Sequence, residues 1–177
     1  MKLRVDDVGA ESRDLRFHEP EQEINRVLSS GLDQYQLAHA AAIRLSYYRA
    51  GSEVFIGGAL DIDINATCAR CAEDFTESRS RSFRYVLAPK SMGYGDEDGA
   101  SSGDLELSVY EGDEIDLAPL VREQILLALA ARPLCAEDCQ GLCSQCGANL
   151  NQSRCDCRTS TGDSRLAVLR TWKSNRA

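Results

Sequence analysis

"VFIGGALDIDINATCARC", Val54 to Cys71, decides the fold. Val54, Ile56, Leu60, Ile62 and Ile64 share one parity, while Asp61, Asp63 and Asn65 take the other. That two-residue period is the signature of a strand with one face buried and one in water. Cys68 shares the parity of Ile64, so it should leave the strand on its core side, at the first position of a Cys-x-x-Cys turn. The strand therefore hands a pair of thiols to whatever lies beneath the sheet.

Working outward, the preceding run also has period two, with Ala41, Ile43, Leu45 and Tyr47 apolar and Arg44 and Ser46 between them. "AGS" at 50–52 predicts a hairpin turn between the two runs. After the cysteines, "DFTESRSRSFRYVLAP" places Phe75, Phe83, Tyr85 and Leu87 on one parity and predicts a third strand, completing an antiparallel meander. "MKLRVDDV" and "DLRF" predict two short strands. "PEQEINRVLSSG" predicts a helix with Pro20 at its start, Gly31 as its stop, and Ile24, Val27 and Leu28 on one face.

Residues 89–104 are rich in Gly, Ser and acids with no apolar period, and we expect a mobile loop there. "DLELSVY" resumes strand character. Asp116 is the expected N-cap of a helix whose inner face carries Leu117, Leu120, Val121, Gln124, Leu127 and Ala128. "ARPLC" then delivers Cys135 to a window holding six of the chain's eight cysteines. The fold class is thus α+β: an antiparallel meander, one or two packed helices, and a Cys-rich C-terminal segment. The expected boundaries are 1–132 for the α+β domain, 133–158 for the Cys-rich segment and 159–177 for a basic amphipathic helix.

Composition narrows the function. The longest apolar run, Ile125 to Ala131, is too short to span a bilayer. The opening "MKLRVDDVGAESRD" lacks a secretory apolar core and carries acids, so the cytoplasm is the expected compartment. Residues 151–177 hold six basic side chains (Arg154, Arg158, Arg165, Arg170, Lys173, Arg176) against Asp156 and Asp163, a net +4; this leaves −12 on the remainder of a chain of formal charge −8. An acidic body disfavours a broad phosphate-binding surface, while the basic tail could touch RNA.

In a reducing compartment, close cysteine pairs point to metal or redox chemistry before disulfides. Cys143 and Cys146 form a CxxC turn followed by Gly147, where positive φ is often needed, and Cys155 and Cys157 supply a second pair. These four make one expected zinc site. Cys68, Cys71, Cys135 and Cys139 remain for a second. A competing partition, which spacing alone also permits, groups Cys135, Cys139, Cys143 and Cys146 in one site and sends Cys155 and Cys157 to Cys68 and Cys71 in the other. Four thiolates leave no open coordination position, so the expected metal is structural.

A redox dithiol at Cys68 and Cys71 is the alternative, although such a pair normally sits at a helix N-terminus in a βαβ unit. A module whose acidic body binds a basic partner is a third reading. His18 and His39 are isolated, and no phosphate loop, HExxH or GxSxG motif occurs. Arg70, Arg79, Arg81 and Arg84, interleaved with Phe83 and Tyr85, could form an RNA-facing strip; Arg165, Arg170, Trp172 and Lys173 are its counterpart in the tail.

"INATCARCAEDF", "EIDLAPLVREQILLALA", "PLCAEDCQGLCSQCGANLNQSRCDC" and "DSRLAVLR", in this order from about Ile64 to Arg170, resemble the bacterial and plastid YceD family of large ribosomal RNA subunit accumulation proteins. The resemblance implies a non-enzymatic ribosome biogenesis factor for 23S rRNA. Its expected partners are precursor large-subunit rRNA or a large-subunit ribosomal protein, with no membrane and no small-molecule substrate. It also implies zinc on all eight cysteines, two ions per chain. Ala130, Ser144 and Ser164 stand where the family often has proline.

Overall fold

A computed structural model of the chain describes residues 1–90 and 106–157. In chain order it contains β1 (Lys2–Arg4), a single 3-10 turn (Val5–Asp7), β2 (Arg13–Glu19), α1 (Glu21–Leu28), β3 (Tyr35–Leu37), β4 (Ala41–Ala50), β5 (Glu53–Thr67), β6 (Asp74–Pro89), β7 (Glu106–Tyr110), β8 (Glu114–Asp116) and α2 (Leu117–Ala128). The expected loop at 89–104 lies outside the described residues beyond Lys90, and the expected helix at 159–177 lies wholly outside them.

The meander is β4, β5 and β6, each antiparallel to the next. Gly51, at φ +65°, makes the tight turn between Ala50 and Glu53, where a side chain would be strained. β2 extends the sheet on the far side of β4, and β3 pairs with the end of β5 that β4 leaves free. β1 and β8 form a separate two-stranded ribbon.

The sheet is mixed rather than wholly antiparallel, because β7 runs parallel to β6 with Tyr85 opposite Glu106 and Pro89 opposite Tyr110. Residues 90–105 connect the two strands. That length exceeds the dozen or so residues a parallel return requires, whereas a tight hairpin would have forced antiparallel pairing.

The even-numbered side chains of β5 form the core floor: Val54, Ile56, Leu60, Ile62 and Ile64 are all buried, as the alternation requires. At about 1.5–3 kcal/mol for each fully buried Val, Leu or Ile, this one strand contributes a large share of the apolar stabilisation. Gly58 belongs to the same face because a Cβ there would lie 2.4 Å from Phe83 and 2.6 Å from Leu45.

Both helices pack on this face with a rotation the sequence did not reveal. In α2 the buried stripe is Leu117, Ala118, Val121, Gln124 and Ile125, whereas Leu127 is 49% exposed. Two i+4 steps from Leu117 pass through Val121 to Ile125, while Leu127, ten residues on, falls outside the stripe. In α1, Ile24 and Leu28 are buried but Val27 is 41% exposed. Pro20 is the N-cap residue, and the helix stops at Leu28, before Gly31. Ser29 and Ser30 hydroxyls there donate back to the carbonyls of Arg26 and Val27, competing with further helix.

Polar links fix α2 against the sheet. Arg122 donates to Oε1 of the buried Glu19 through Nε at 2.9 Å and Nη2 at 2.8 Å, tying α2 to the end of β2. The fully buried Gln124 donates to the Tyr85 hydroxyl at 2.7 Å and accepts from Arg81 Nε at 2.7 Å. Glu19 Oε1 and both ends of the Gln124 amide thereby meet partners, which offsets their loss of water.

Candidate metal centres

β5 ends at Thr67 and releases Cys68 into the core side, where Cys68, Cys71 and Cys139 are all buried. On the other side, the Tyr35 hydroxyl donates to the carbonyl of Ala130 and holds the exit of α2 over the sheet. Burial, with the nearby Glu77 carboxylate, pushes the Tyr35 hydroxyl up, keeping it a donor. The chain then reaches Pro133, whose carbonyl accepts from Ala69 N–H at 2.8 Å, and Cys135 follows beside the first thiol pair.

The cysteines gather in two groups: Cys68, Cys71, Cys135 and Cys139, and Cys143, Cys146, Cys155 and Cys157. Within each group the sulfurs all lie within 4.8 Å of one another, which could hold a metal ion. In the first group Cys68 and Cys139 sulfurs are 3.8 Å apart and Cys71 and Cys135 sulfurs 3.6 Å. A tetrahedron with zinc–sulfur bonds of about 2.3 Å has corners about 3.8 Å apart, so these spacings fit such an ion. They are far too long for a disulfide of about 2.05 Å.

The two CxxC turns share one backbone design. Cys68 N–H donates to Glu73 O at 2.9 Å and Ala72 N–H to Cys68 O at 2.9 Å; correspondingly, Cys143 N–H donates to Ala148 O at 2.8 Å and Gly147 N–H to Cys143 O at 2.9 Å. The residue after the second cysteine is left-handed in both, Ala72 at φ +57° and Gly147 at +72°. Alanine at that conformation costs about 1–2 kcal/mol that glycine avoids.

Charge in these groups is uneven. Burial opposes ionisation of Cys68, but backbone N–H groups of Cys135, Cys71 and Arg70 outweigh it and bring the thiol down to about 6. Backbone N–H groups of Cys146 and Gln145 likewise bring Cys143 down to about 6. The neighbouring Cys71 thiol pushes Cys135 up to about 12, and Cys146 does the same to Cys157. Each cluster thus has one thiol brought down by backbone N–H donors and others held up chiefly by hydrogen bonding to a neighbouring sulfur and by burial, and a central dication would favour the thiolate at every position.

The clusters are stitched together. Arg70, inside the first turn, donates through Nη1 to the carbonyls of Glu137 at 3.0 Å and Cys139 at 2.9 Å, and its own carbonyl accepts from Leu142 N–H at 3.1 Å. Gly141, at φ +76°, permits this approach, since a Cβ there would lie 3.0 Å from that carbonyl. Glu73 Oε1 accepts from Asn149 and Gln152, both at 3.2 Å, across from the second cluster's loop. Cys68 and Cys71 therefore sit in a turn facing further thiols, not at a helix N-terminus of the redox type.

Of the arginines expected to face RNA, Arg81 is held by Gln124 of α2, and Arg79 pairs with Glu77 at 2.7 Å. Both have the parity of the core residues Phe83 and Tyr85; Arg84 has the opposite parity and is exposed. Arg165, Arg170, Trp172 and Lys173 lie outside the described residues. Sequence reasoning singled out Arg70 for RNA, whereas its guanidinium binds cluster carbonyls. It missed Glu73 and Asn151, whose only signals are adjacency to CARC and the amide-rich "NLNQ" loop.

A family model described as "Large ribosomal RNA subunit accumulation protein YceD" matches residues 56–173, a span that takes in both thiol clusters. The chain belongs to the YceD family. It is similar to the Arabidopsis thaliana protein named "Large ribosomal RNA subunit accumulation protein YCED homolog 1, chloroplastic", at 26% identity over 137 residues, 65% of this chain and 43% of that protein. A Zea mays protein of the same name is 44% identical over 46 residues, 25% of this chain and 16% of that protein. The chain thus spans less than half the length of the YceD relatives it matches. No solved structure matches it. No helix among the described residues is long and apolar enough to cross a membrane.

Proposed function

We propose that the chain is a non-enzymatic assembly factor that supports accumulation and processing of large-subunit 23S rRNA in the cytoplasm, with two structural zinc ions. Cys68, Cys71, Cys135 and Cys139 would hold one ion and Cys143, Cys146, Cys155 and Cys157 the other. Zinc supplies no reaction here. Four sulfur ligands leave it closed to substrate, and its contribution is to fix loops that lack a core of their own.

The observation that carries this reading is the pair of four-thiol groups anchored to the sheet by Arg70, within a chain of the YceD family. Residues 158–177 follow directly on Cys157 of the second cluster. Arg165, Arg170, Trp172 and Lys173 there are suited to precursor rRNA or a large-subunit ribosomal protein, by charge and by stacking. Gradient sedimentation of cell extract tests the role: the chain should travel with precursor large subunits, and residence solely in the free fraction would contradict it.

A further inference from the structure

The face of the sheet turned away from the helices divides into two halves. Toward the thiol clusters it is acidic, but its carboxylates are engaged: Ser80 donates to Asp61 and Ser78 to Asp63, both at 2.6 Å, with Thr76 to Asn65 alongside at 2.8 Å. The Ser80 hydroxyl, with help from the Arg44 guanidinium, holds Asp61 below the usual carboxylate range against the opposing effect of burial.

Toward the β4–β5 turn the same face changes character. One cross-strand row reads Arg16, Arg44, Ala59, Ser82, and the next reads Asp14, Ser46, Gly57, Arg84. The third row sets Tyr48 opposite Phe55. The small residues Ser46, Gly57, Ala59 and Ser82 leave an open trough of about 780 Å³ among the longer Arg16, Arg44 and Arg84. Glycine within a strand weakens it unless something must approach the backbone. Gly58 is required by the core beneath it, but Gly57 faces outward, with only the Ser46 hydroxyl near a would-be Cβ at 3.2 Å.

The charges of this trough and the ring pair in the row at its end have a consistent address. Arg44 is paired with Asp61 at 2.7 Å, while Arg16 and Arg84 are exposed and have no carboxylate partner among the described residues. Asp14 is the one carboxylate lining the trough. Arg16 and Arg84 stand three strand spacings apart, about 14 Å across the floor. Beside Arg84, Tyr48 and Phe55 stack with centroids 5.1 Å apart and planes 7° from parallel, and Tyr48 is 39% exposed.

We propose that this trough binds single-stranded RNA, with Arg16 and Arg84 receiving phosphates and Tyr48 providing a stacking surface for a base. Guanidinium groups without internal partners match phosphate in charge and geometry, and a base stacks on an aromatic face whatever its identity. The small-residue floor lets the strand lie against the sheet. An acidic protein would satisfy the arginines but leave the exposed ring unused, so RNA is the occupant the chemistry favours. The inference rests on the large-subunit reading for the source of the RNA, whereas its test does not.

Fluorescence anisotropy of a labelled, mixed-sequence single-stranded RNA oligonucleotide, titrated with the full zinc-loaded chain at several salt concentrations, tests it. The double variant Arg16→Glu, Arg84→Glu should bind at least about tenfold more weakly and flatten the slope of log K against log salt by about 1.4, the value for two phosphates on a single strand. Tyr48→Ala should lose about tenfold with the slope unchanged. Among the described residues Arg16 and Arg84 make no ion pair or side-chain hydrogen bond, so circular dichroism melts of the double variant should match wild type. Wild-type affinity and slope in the double variant would place RNA elsewhere and overturn the proposal. Absence of RNA binding by the wild type, with sedimentation beside precursor large subunits retained, would also overturn it and point to a protein contact; the large-subunit role itself would stand.

Discussion

The side-chain amide of Asn151 donates to the sulfur of Cys139 at 3.3 Å, so the loop of the second thiol cluster supplies a hydrogen bond to the first. The amide's orientation is fixed at its other end, where Oδ1 accepts from Gln140 N–H at 2.7 Å. Four thiolates around a dication carry a net charge of about −2, and N–H donors to sulfur reduce that excess. The two clusters are therefore coupled through Asn151 as well as through the short link Gln140–Leu142.

Replacing Asn151 with Ala should weaken metal retention at the first cluster by roughly tenfold or more, the usual scale for losing an outer hydrogen bond to a ligand. Competition with a graded zinc chelator should show one of two release steps moving to lower chelator concentration. Release curves identical to wild type would show that this hydrogen bond does not support the site.

Ala72 and Gly147 occupy equivalent left-handed positions, and only one is glycine. Ala72→Gly should stabilise the metal-loaded protein by about 1 kcal/mol, and Gly147→Ala should destabilise it by a similar amount. Urea unfolding read by tryptophan-independent circular dichroism measures both. Reversal of either sign would mean that the two turns are not equivalent in the folded protein.

Asp116 caps α2 by accepting from Ala118 N–H at 3.1 Å. This backbone hydrogen bond holds its carboxyl below the usual 3.8, assisted by the N-terminal ammonium and Lys2. A depressed folded pKa means the carboxylate's contribution is complete above the unfolded value and is lost as pH falls through the folded one. Asp116→Ala should cost about 1 kcal/mol at pH 7, and the gap to wild type should close in acid below pH 3.8. Paired thermal melts across that range would reveal the convergence; a gap independent of pH would remove the charge from the account.

How much of this was legible depended on whether a local pattern or a distant partner fixed the feature. The alternation from Val54 to Ile64 determined which face is buried, and it carried through to Cys68 because parity persists along one strand. Asp116 was legible as a cap because capping is a matter of neighbouring residues. The parallel pairing of β7 was not, since strand direction depends on the path of residues 90–105 rather than on either strand's composition. The choice of Ile125 over Leu127 in α2 was hidden because both are apolar and only the position of the sheet distinguishes them. Ala72 concealed a left-handed site that glycine would have announced. The grouping of cysteines was open on spacing alone; the fold brings Cys135 and Cys139 to Cys68 and Cys71 by laying the exit of α2 across the end of β5.

Elemental analysis of the purified full chain, combined with thiol titration before and after chelation, tests the central claim most directly. The account predicts two zinc ions per chain, thiols unreactive until the metal is stripped, and loss of ordered structure in 133–157 on stripping. A metal-free chain that keeps its fold, with freely reactive cysteines, would contradict it.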